Sequence, residues 1–241
     1  MLICKPSLRH YTTDMVLKTT NYTIEQSKKV KVLGVYITSG LSNDATINDM
    51  ISKINFRLHI IKKVIRYTNY RTSRMIMNSI ILSIFNYGAP LLVNSNLRSL
   101  QKLNTLLIKC TRPILGFESY KWSIQKIMSK MKWQTFYHTL IYESIMFIHK
   151  SIFENIPKTI VELITQSLNN ECNIRSGRKF LVIREPNSNK EKQTLIYKSI
   201  FLYNKLPDIF KTYNPKKLKK DLKEYIYHNF PNNSLPKNDN Y

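Results

Sequence analysis

Phosphoryl transfer or hydrolysis on a metal needs carboxylates close together, and this chain spaces them badly for that chemistry. Its six aspartates, at 14, 44, 49, 208, 221 and 239, are never adjacent. Soft-metal sites fare no better. No CxxC, HxxxH or HExxH occurs, and His10, His59, His138, His149 and His228 stand apart from one another and from Cys4, Cys110 and Cys172. Neither a G-x-S-x-G nucleophile elbow nor a glycine-rich phosphate loop is present. These residues predict no catalytic site, no metal site and no cofactor.

One carboxylate pair has a sharper spacing. Pro207-Asp208-Ile209, followed by Asp221-Leu222-Lys223, resembles the P-D…(D/E)-x-K signature of restriction-like endonucleases, in which two carboxylates hold a metal and the lysine helps to activate water. That chemistry needs both carboxylates on adjoining strands. Asp221 lies in a lysine-rich segment of helical period, so the pair reads as a helix-start residue and a surface helix acid.

Cations are the residues present in excess. The 241 residues hold 38 Lys and Arg against 15 Asp and Glu, a net charge of +23, with 43% hydrophobic residues. Such a chain can bury a core, so disorder, collagen-like repeats and a disulfide scaffold are excluded. The longest apolar run, Met75 to Phe85 with Asn78 and Ser79 inside it, is too short to cross a bilayer, which predicts no membrane partner. The start lacks the basic-then-apolar order of a signal peptide, and three scattered cysteines fit a reducing, intracellular setting, cytoplasm or nucleus. Lys-rich, Ala-poor composition is what an A/T-rich genome imposes, so part of the charge carries no message. Its layout carries more. No acid occurs from Met50 to Phe117, while eleven basic residues do. Polyanions are the natural partners, because each neutralised phosphate releases condensed counterions.

The elements that must position these cations follow from period. Residues 30–37 read as a β-branched strand, with Met1-Leu-Ile-Cys and Met15-Val-Leu-Lys as weaker strands that could pair beside it. From Ser42 the period changes to helical. Ile47, Met50, Ile51, Ile54, Leu58, Ile61 and Ile65 share one arc, Lys53 and Arg57 lie on one flank, and Lys62, Lys63 and Arg66 on the other flank and the back. With Tyr67, Tyr70, Arg71 and Arg74 at its end, this helix offers a surface that could track a nucleic-acid backbone; a plain solvated face is the competing reading. A second helix is expected over 72–86 with Met75, Ile76, Ser79, Ile80 and Ser83 at helical spacing, and a third over 97–115 with Gly116 as a left-handed cap. Further helices are expected at 123–131, 133–154 and 157–169. Residues 175–184 and 193–203 read as irregular or extended, and Pro215 opens a final helix to His228 that exposes Lys216, Lys217, Lys219 and Lys220. The fold class is mainly α with a small N-terminal β element (α+β), a helical bundle followed by a basic C-terminal region. Its parts are 1–41, 42–172, 173–230 and a disordered tail at 231–241.

The order of motifs has a family likeness. Lys31-Val-Leu-Gly-Val-Tyr-Ile, then Leu41-Ser42 and Ile47, and Asn86-Tyr87-Gly88-Ala89-Pro90 resemble the late-palm "K-x-L-G-V-x-I … L-S" and the "E-Y-G-x-P" segments of non-LTR retrotransposon reverse transcriptases. The likeness continues through Leu103-Asn104 to Gly116, Ile148-His149-Lys150 to Pro157-Lys158, Arg175-Ser176-Gly177-Arg178, Leu202-Tyr203-Asn204-Lys205-Leu206-Pro207 and the basic helix Leu218 to Tyr227. It covers about residues 28–228 in the family's order. The resemblance implies that Leu33, Gly34, Val35 and Tyr36 correspond to the primer grip, a hairpin that presses the primer terminus toward the palm. It also implies that the helices of 45–87 correspond to the thumb, which holds template–primer by its backbone. The family's Tyr-x-Asp-Asp has no counterpart, nor has its Cys/His knuckle. The resemblance therefore implies a chain derived from an RNA-directed DNA polymerase, without its catalytic palm and inactive alone. Its partners would be RNA, DNA or an RNA–DNA hybrid. Two other readings stand beside this one: a module that docks on a catalytic reverse transcriptase chain in trans, and a relic frame without function.

Overall fold

The computed structural model describes residues 27–153 and 194–232, with short pieces at 17–18, 23–24, 159–160, 162, 164, 172–173, 179–180 and 234–236. The protein is mainly α with a small β element. Strands β1 (Leu17–Lys18) and β2 (Thr23–Ile24) pair antiparallel with each other, and β3 (Lys29–Val32) pairs with β4 (Val35–Thr38). The expected single strand over 30–37 is thus a hairpin, because Leu33 (φ 46°) and Gly34 (φ 84°) turn the chain with two left-handed residues, as a type I′ turn requires. Of the segment beginning at Met15, the described Leu17–Lys18 do not pair with that hairpin. They find Thr23–Ile24 instead; Met1 to Cys4 lie outside the described residues.

Helix α1 (Asp44–Ile65) buries Ile47, Met50, Ile54, Leu58 and Ile61, the arc that the period predicts. Helix α2 (Tyr70–Met77) is capped by the Asn69 side chain, which accepts from the Thr72 N–H at 2.8 Å. A π turn (Asn78–Leu82) and then α3 (Ser83–Asn86) continue it. Here the expected face is wrong. Met75 is 59% exposed and Ile80 37%, while Ser73, Met77, Ile81 and Phe85 are buried. Four residues of α-helix overshoot a full turn by about 40°, and a π turn is wider, so it holds residues four apart in line toward the core. A 3₁₀ segment, Ala89–Asn94, follows the break at Gly88.

Helix α4 (Leu97–Leu115) ends as expected at Gly116, whose φ is 77°; its ψ of −177° sends the chain out extended instead of closing a left-handed cap. Helix α5 (Ile124–Met131) is followed by α6 (Phe136–Phe153), which starts later than expected because Trp133 to Thr135 form its entry. The helix expected at 157–169 lies largely outside the described residues; Thr159, Ile160, Glu162 and Ile164 are helical. Strands β5 (Cys172–Asn173) and β6 (Lys179–Phe180) pair antiparallel.

Residues 193–203 correct the sequence reading most plainly. They form helix α7 (Leu195–Asn204), capped by Thr194, which accepts from the Tyr197 N–H. Its Ser199, Ile200, Phe201, Leu202 and Tyr203 are all buried, so it has no amphipathic period for a sequence reading to find, and tertiary burial overrides the β-branched and aromatic composition. Short α8 (Asp208–Lys211) and α9 (Pro215–Asn229) complete the chain's described elements.

The core has two parts. One joins α1, α2, the π turn, α3, α4, α5 and Phe136, Tyr137 and Leu140 of α6; the other joins Ile141, Ile145 and Ile148 of α6 with α7 and α9. Helix α6 is the shared spine. Leu235, expected within the disordered tail, packs against both parts.

Candidate nucleic-acid interface

The hairpin is anchored on the helices by polar pairs. The Tyr36 N–H donates to Thr46 Oγ1 at 2.9 Å, and the same hydroxyl donates back to the Tyr36 carbonyl at 3.3 Å. At the tip, the Tyr87 hydroxyl donates to the Leu33 carbonyl. A Cβ at Gly34 would lie 3.4 Å from the Tyr87 ring, and one at Gly88 would lie 3.7 Å from Val35. The two segments Lys31–Ile37 and Asn86–Pro90, 49 residues apart from Ile37 to Asn86, therefore meet. Leu33 sits at the tip, 86% exposed and in a conformation costing an L residue about 1–2 kcal/mol. A left-handed apolar residue held out in solvent makes the tip a candidate site.

Opposite residues across the hairpin share a face. Lys29, Lys31, Tyr36 and Thr38 form a polar face, with the Lys31 ammonium 4.9 Å from the Tyr36 ring centroid. Val30, Val32, Val35 and Ile37 form an apolar one. Val32, Val35 and Ile37 of this face, with Leu33, Leu41, Tyr87 and Leu91, line an open groove of about 600 Å³.

The cations of α1 are exposed, but they are not equivalent. Lys53 pairs with Asp49 at 2.6 Å, and this contact, with Lys31 at 3.7 Å, holds the Asp49 carboxyl below the usual carboxylate range. Arg57 donates through Nη1 to the Ile80 carbonyl at 3.2 Å, tying α1 to the π turn. Lys62, Lys63 and Arg66 are exposed at the far end of α1. There the next helix brings exposed Arg71 and half-buried Arg74 within one loop's reach. The Tyr70 hydroxyl donates to the Lys130 carbonyl at 2.7 Å, which fixes the start of α2 against α5. Between these cations α1 shows Phe56 (69% exposed), Ile60 and Val64 in an i, i+4, i+8 stripe, with Tyr67 beyond at 90%. Exposed aromatics among cations are what base stacking uses.

The C-terminal lysines stand elsewhere. The Nε2 of His138 meets the Phe230 carbonyl at 3.1 Å and that of His149 meets the Tyr213 carbonyl at 2.9 Å, so α9 runs antiparallel to α6. Lys216, Lys217, Lys219 and Lys220 are exposed at the α6 end remote from α4. Lys217 lies 3.9 Å from the Tyr213 ring centroid. Lys219 acts on Glu143, whose carboxyl burial pushes up and the surrounding lysines pull back down.

The Asp208 and Asp221 pair lacks the strand geometry of a nuclease site. Asp208 opens a short helix and pairs with Lys211 at 3.1 Å, and Asp221 lies within α9, so neither carboxylate is on a strand. Among the described residues no three His, Cys, Asp or Glu gather, and no helix is long and apolar enough to cross a membrane. Cys110 is buried, which pushes its thiol up to about 12.

Residue-type reasoning missed Arg98, Lys102 and Lys109 of α4 as individual candidates. They sit inside the acid-free stretch at spacings of four and seven, so helical period could have put them on one face. No family model, no curated protein and no solved structure matches this chain.

Proposed function

We propose that the chain corresponds to the end of the palm, the thumb and the downstream region of a non-LTR retrotransposon reverse transcriptase, and that it binds template–primer through the phosphate backbone. The observation that carries this reading is the acid-free stretch from Met50 to Phe117, whose Lys53, Arg57, Lys62, Lys63, Arg66 and Arg71 all face solvent. The contact between the hairpin tip and Tyr87 supports it, because it brings together two segments that carry the family likeness. Leu33, Gly34, Val35 and Tyr36 would press on the primer end, and α1 to α3 would hold the duplex. The chain has no Tyr-x-Asp-Asp, so this role is binding without polymerisation.

The test is anisotropy of a labelled RNA–DNA primer–template at low salt. Changing Lys62, Lys63 and Arg66 together to Ala is expected to weaken binding uniformly across sequences and to flatten the salt dependence by about 2–3, at about 0.9 per lost phosphate contact. A wild-type chain that does not bind at low salt sinks the reading. A second reading is favoured by the open apolar face of the hairpin: the chain docks there on the palm of a catalytic reverse transcriptase chain in trans. Co-purification with such a chain, lost on Val32→Lys, is its test.

A further inference from the structure

Helices α1 and α4 run side by side in the same direction. The Ser99 hydroxyl donates to Asp44 at 2.8 Å at their starts, and Lys62 acts on Cys110 near their ends. Between them lies a groove of about 540 Å³ lined by Ile51, Asn55, Arg98, Gln101, Lys102, Thr105, Leu106 and Lys109. Its polar wall holds three cations and three neutral hydrogen-bonding side chains, and no acid lines it. Asp44 is not among the lining residues; it is engaged by the hydroxyls of Ser42 at 2.7 Å and Ser99 at 2.8 Å, and Lys102 helps to hold its carboxyl below the usual range.

We infer that this groove is a binding track for one phosphodiester strand, gripped through its backbone by Arg98, Lys102 and Lys109 with Asn55, Gln101 and Thr105 as hydrogen-bonding partners. The inference rests on the nucleic-acid reading above and assigns it a face of the molecule. Length argues for a strand over a small anion. From Arg98 to Lys109 α4 advances about 16 Å, which is long enough for several consecutive phosphates of one strand, whereas a lone phosphate needs donors that converge on a point. Shape argues against a lipid surface, because Ile51 and Leu106 lie half-buried and buried on the groove floor and cannot insert ahead of the cations. No aromatic side chain lines the groove, so it offers no stacking and reads no base. Arg98, Lys102 and Lys109 are exposed and no acid lines the groove; Lys102 feels Asp44 outside it, whereas Lys53 is held by Asp49 at 2.6 Å.

The test uses the full chain and a labelled single strand of about twenty nucleotides, longer than the track, titrated between about 50 and 200 mM salt. Replacing Arg98, Lys102 and Lys109 together by Gln is expected to weaken binding at least about tenfold and to reduce the salt slope by about 2, at about 0.7 per single-strand contact. Far-UV circular dichroism and thermal unfolding should stay as in the wild type. Should the triple variant misfold, Lys102→Gln alone must still lower the slope by about 0.7. A matched C-terminal variant, Lys216, Lys217 and Lys219 to Gln, should lose less. Wild-type binding that the groove variant retains with its full slope overturns the track and leaves the proposed function standing. An equal loss in the C-terminal variant overturns it too, as does loss of binding to anionic phospholipid vesicles with oligonucleotide binding kept. No binding by the wild type overturns both readings.

Discussion

Both halves of the core carry clustered cations, and they present them differently. Around α1 and α4 the basic residues line a concave groove and a helix end, and the sequence supplies no acid from Met50 to Phe117. On α9 the lysines stand on the outside of a single helix, among Glu143, Asp221 and Glu224. Like charge on a convex face is screened by solvent and by neighbouring carboxylates. In a groove the same charges converge on one ligand. The proposed track therefore rests on curvature and on a lining without acids, and not on charge density alone.

Helix α6 contributes to both halves of the core, and the largest predicted effect tests whether they fold together. Phe85 is fully buried with its ring 5.7 Å from that of Phe136, and Leu222 is fully buried in the other half. Phe85→Ala should cost about 3–5 kcal/mol and Leu222→Ala about 2–5 kcal/mol. Trp122 and Trp133 both belong to the first half, so their fluorescence reports on it alone. If α6 couples the halves, Leu222→Ala shifts the tryptophan transition as far as the circular dichroism transition. Two separate transitions would break the molecule into independent units.

A pH effect of intermediate size belongs to the seam where α9 returns to α6. His138 is buried, and burial pushes its pKa below the ordinary value of 6.5 despite the carbonyls of Phe230 and Pro231. The unfolded chain then binds the proton more readily than the folded one. Stability is full above about pH 6.5 and falls as the pH drops toward the folded pKa, with a slope of up to about 1.4 kcal/mol per pH unit. Denaturant titrations at several pH values should show this slope in the wild type and lose it in His138→Gln.

Binding sharpens the contrast between the two basic faces. Changing Lys216, Lys217, Lys219 and Lys220 together to Gln should weaken oligonucleotide binding by only about two- to fivefold, because exposed lysines on a convex face make few lasting phosphate contacts. A loss matching that of the groove variant would erase the distinction. The smallest effect concerns the hairpin tip. Leu33→Asn keeps the left-handed turn with a residue that tolerates it and should raise stability by up to about 1 kcal/mol in thermal unfolding. If Leu33 presses on a primer end, that stabler variant should bind primer–template less tightly.

Much of this fold is readable from residue types. The arc Ile47 to Ile65 predicts α1 and its buried face, Gly116 marks the end of α4, and Asn214-Pro215 opens α9. Where reading failed, the cause was contact at a distance. Helix α7 is buried on every side and so shows no period, the π turn at 78–82 changes which side chains point inward, and a strand-like run became a hairpin because two residues could turn left-handed. The candidate cations show the same division. Lys62, Lys63 and Arg66 were legible from one helix, whereas Arg98, Lys102 and Lys109 gain meaning only when α4 lies beside α1.

By itself the sequence determined the excess of positive charge, the stretch without acids, the absence of clustered carboxylates and the helical periods that place cations outside and aliphatics inside. These are properties of order and spacing along one chain. The tertiary structure decided which cations share a groove, which are already taken by Asp49 or the Ile80 carbonyl, and that the hairpin tip leans on Tyr87. Those facts depend on packing between segments far apart in the chain, and local propensity does not encode them.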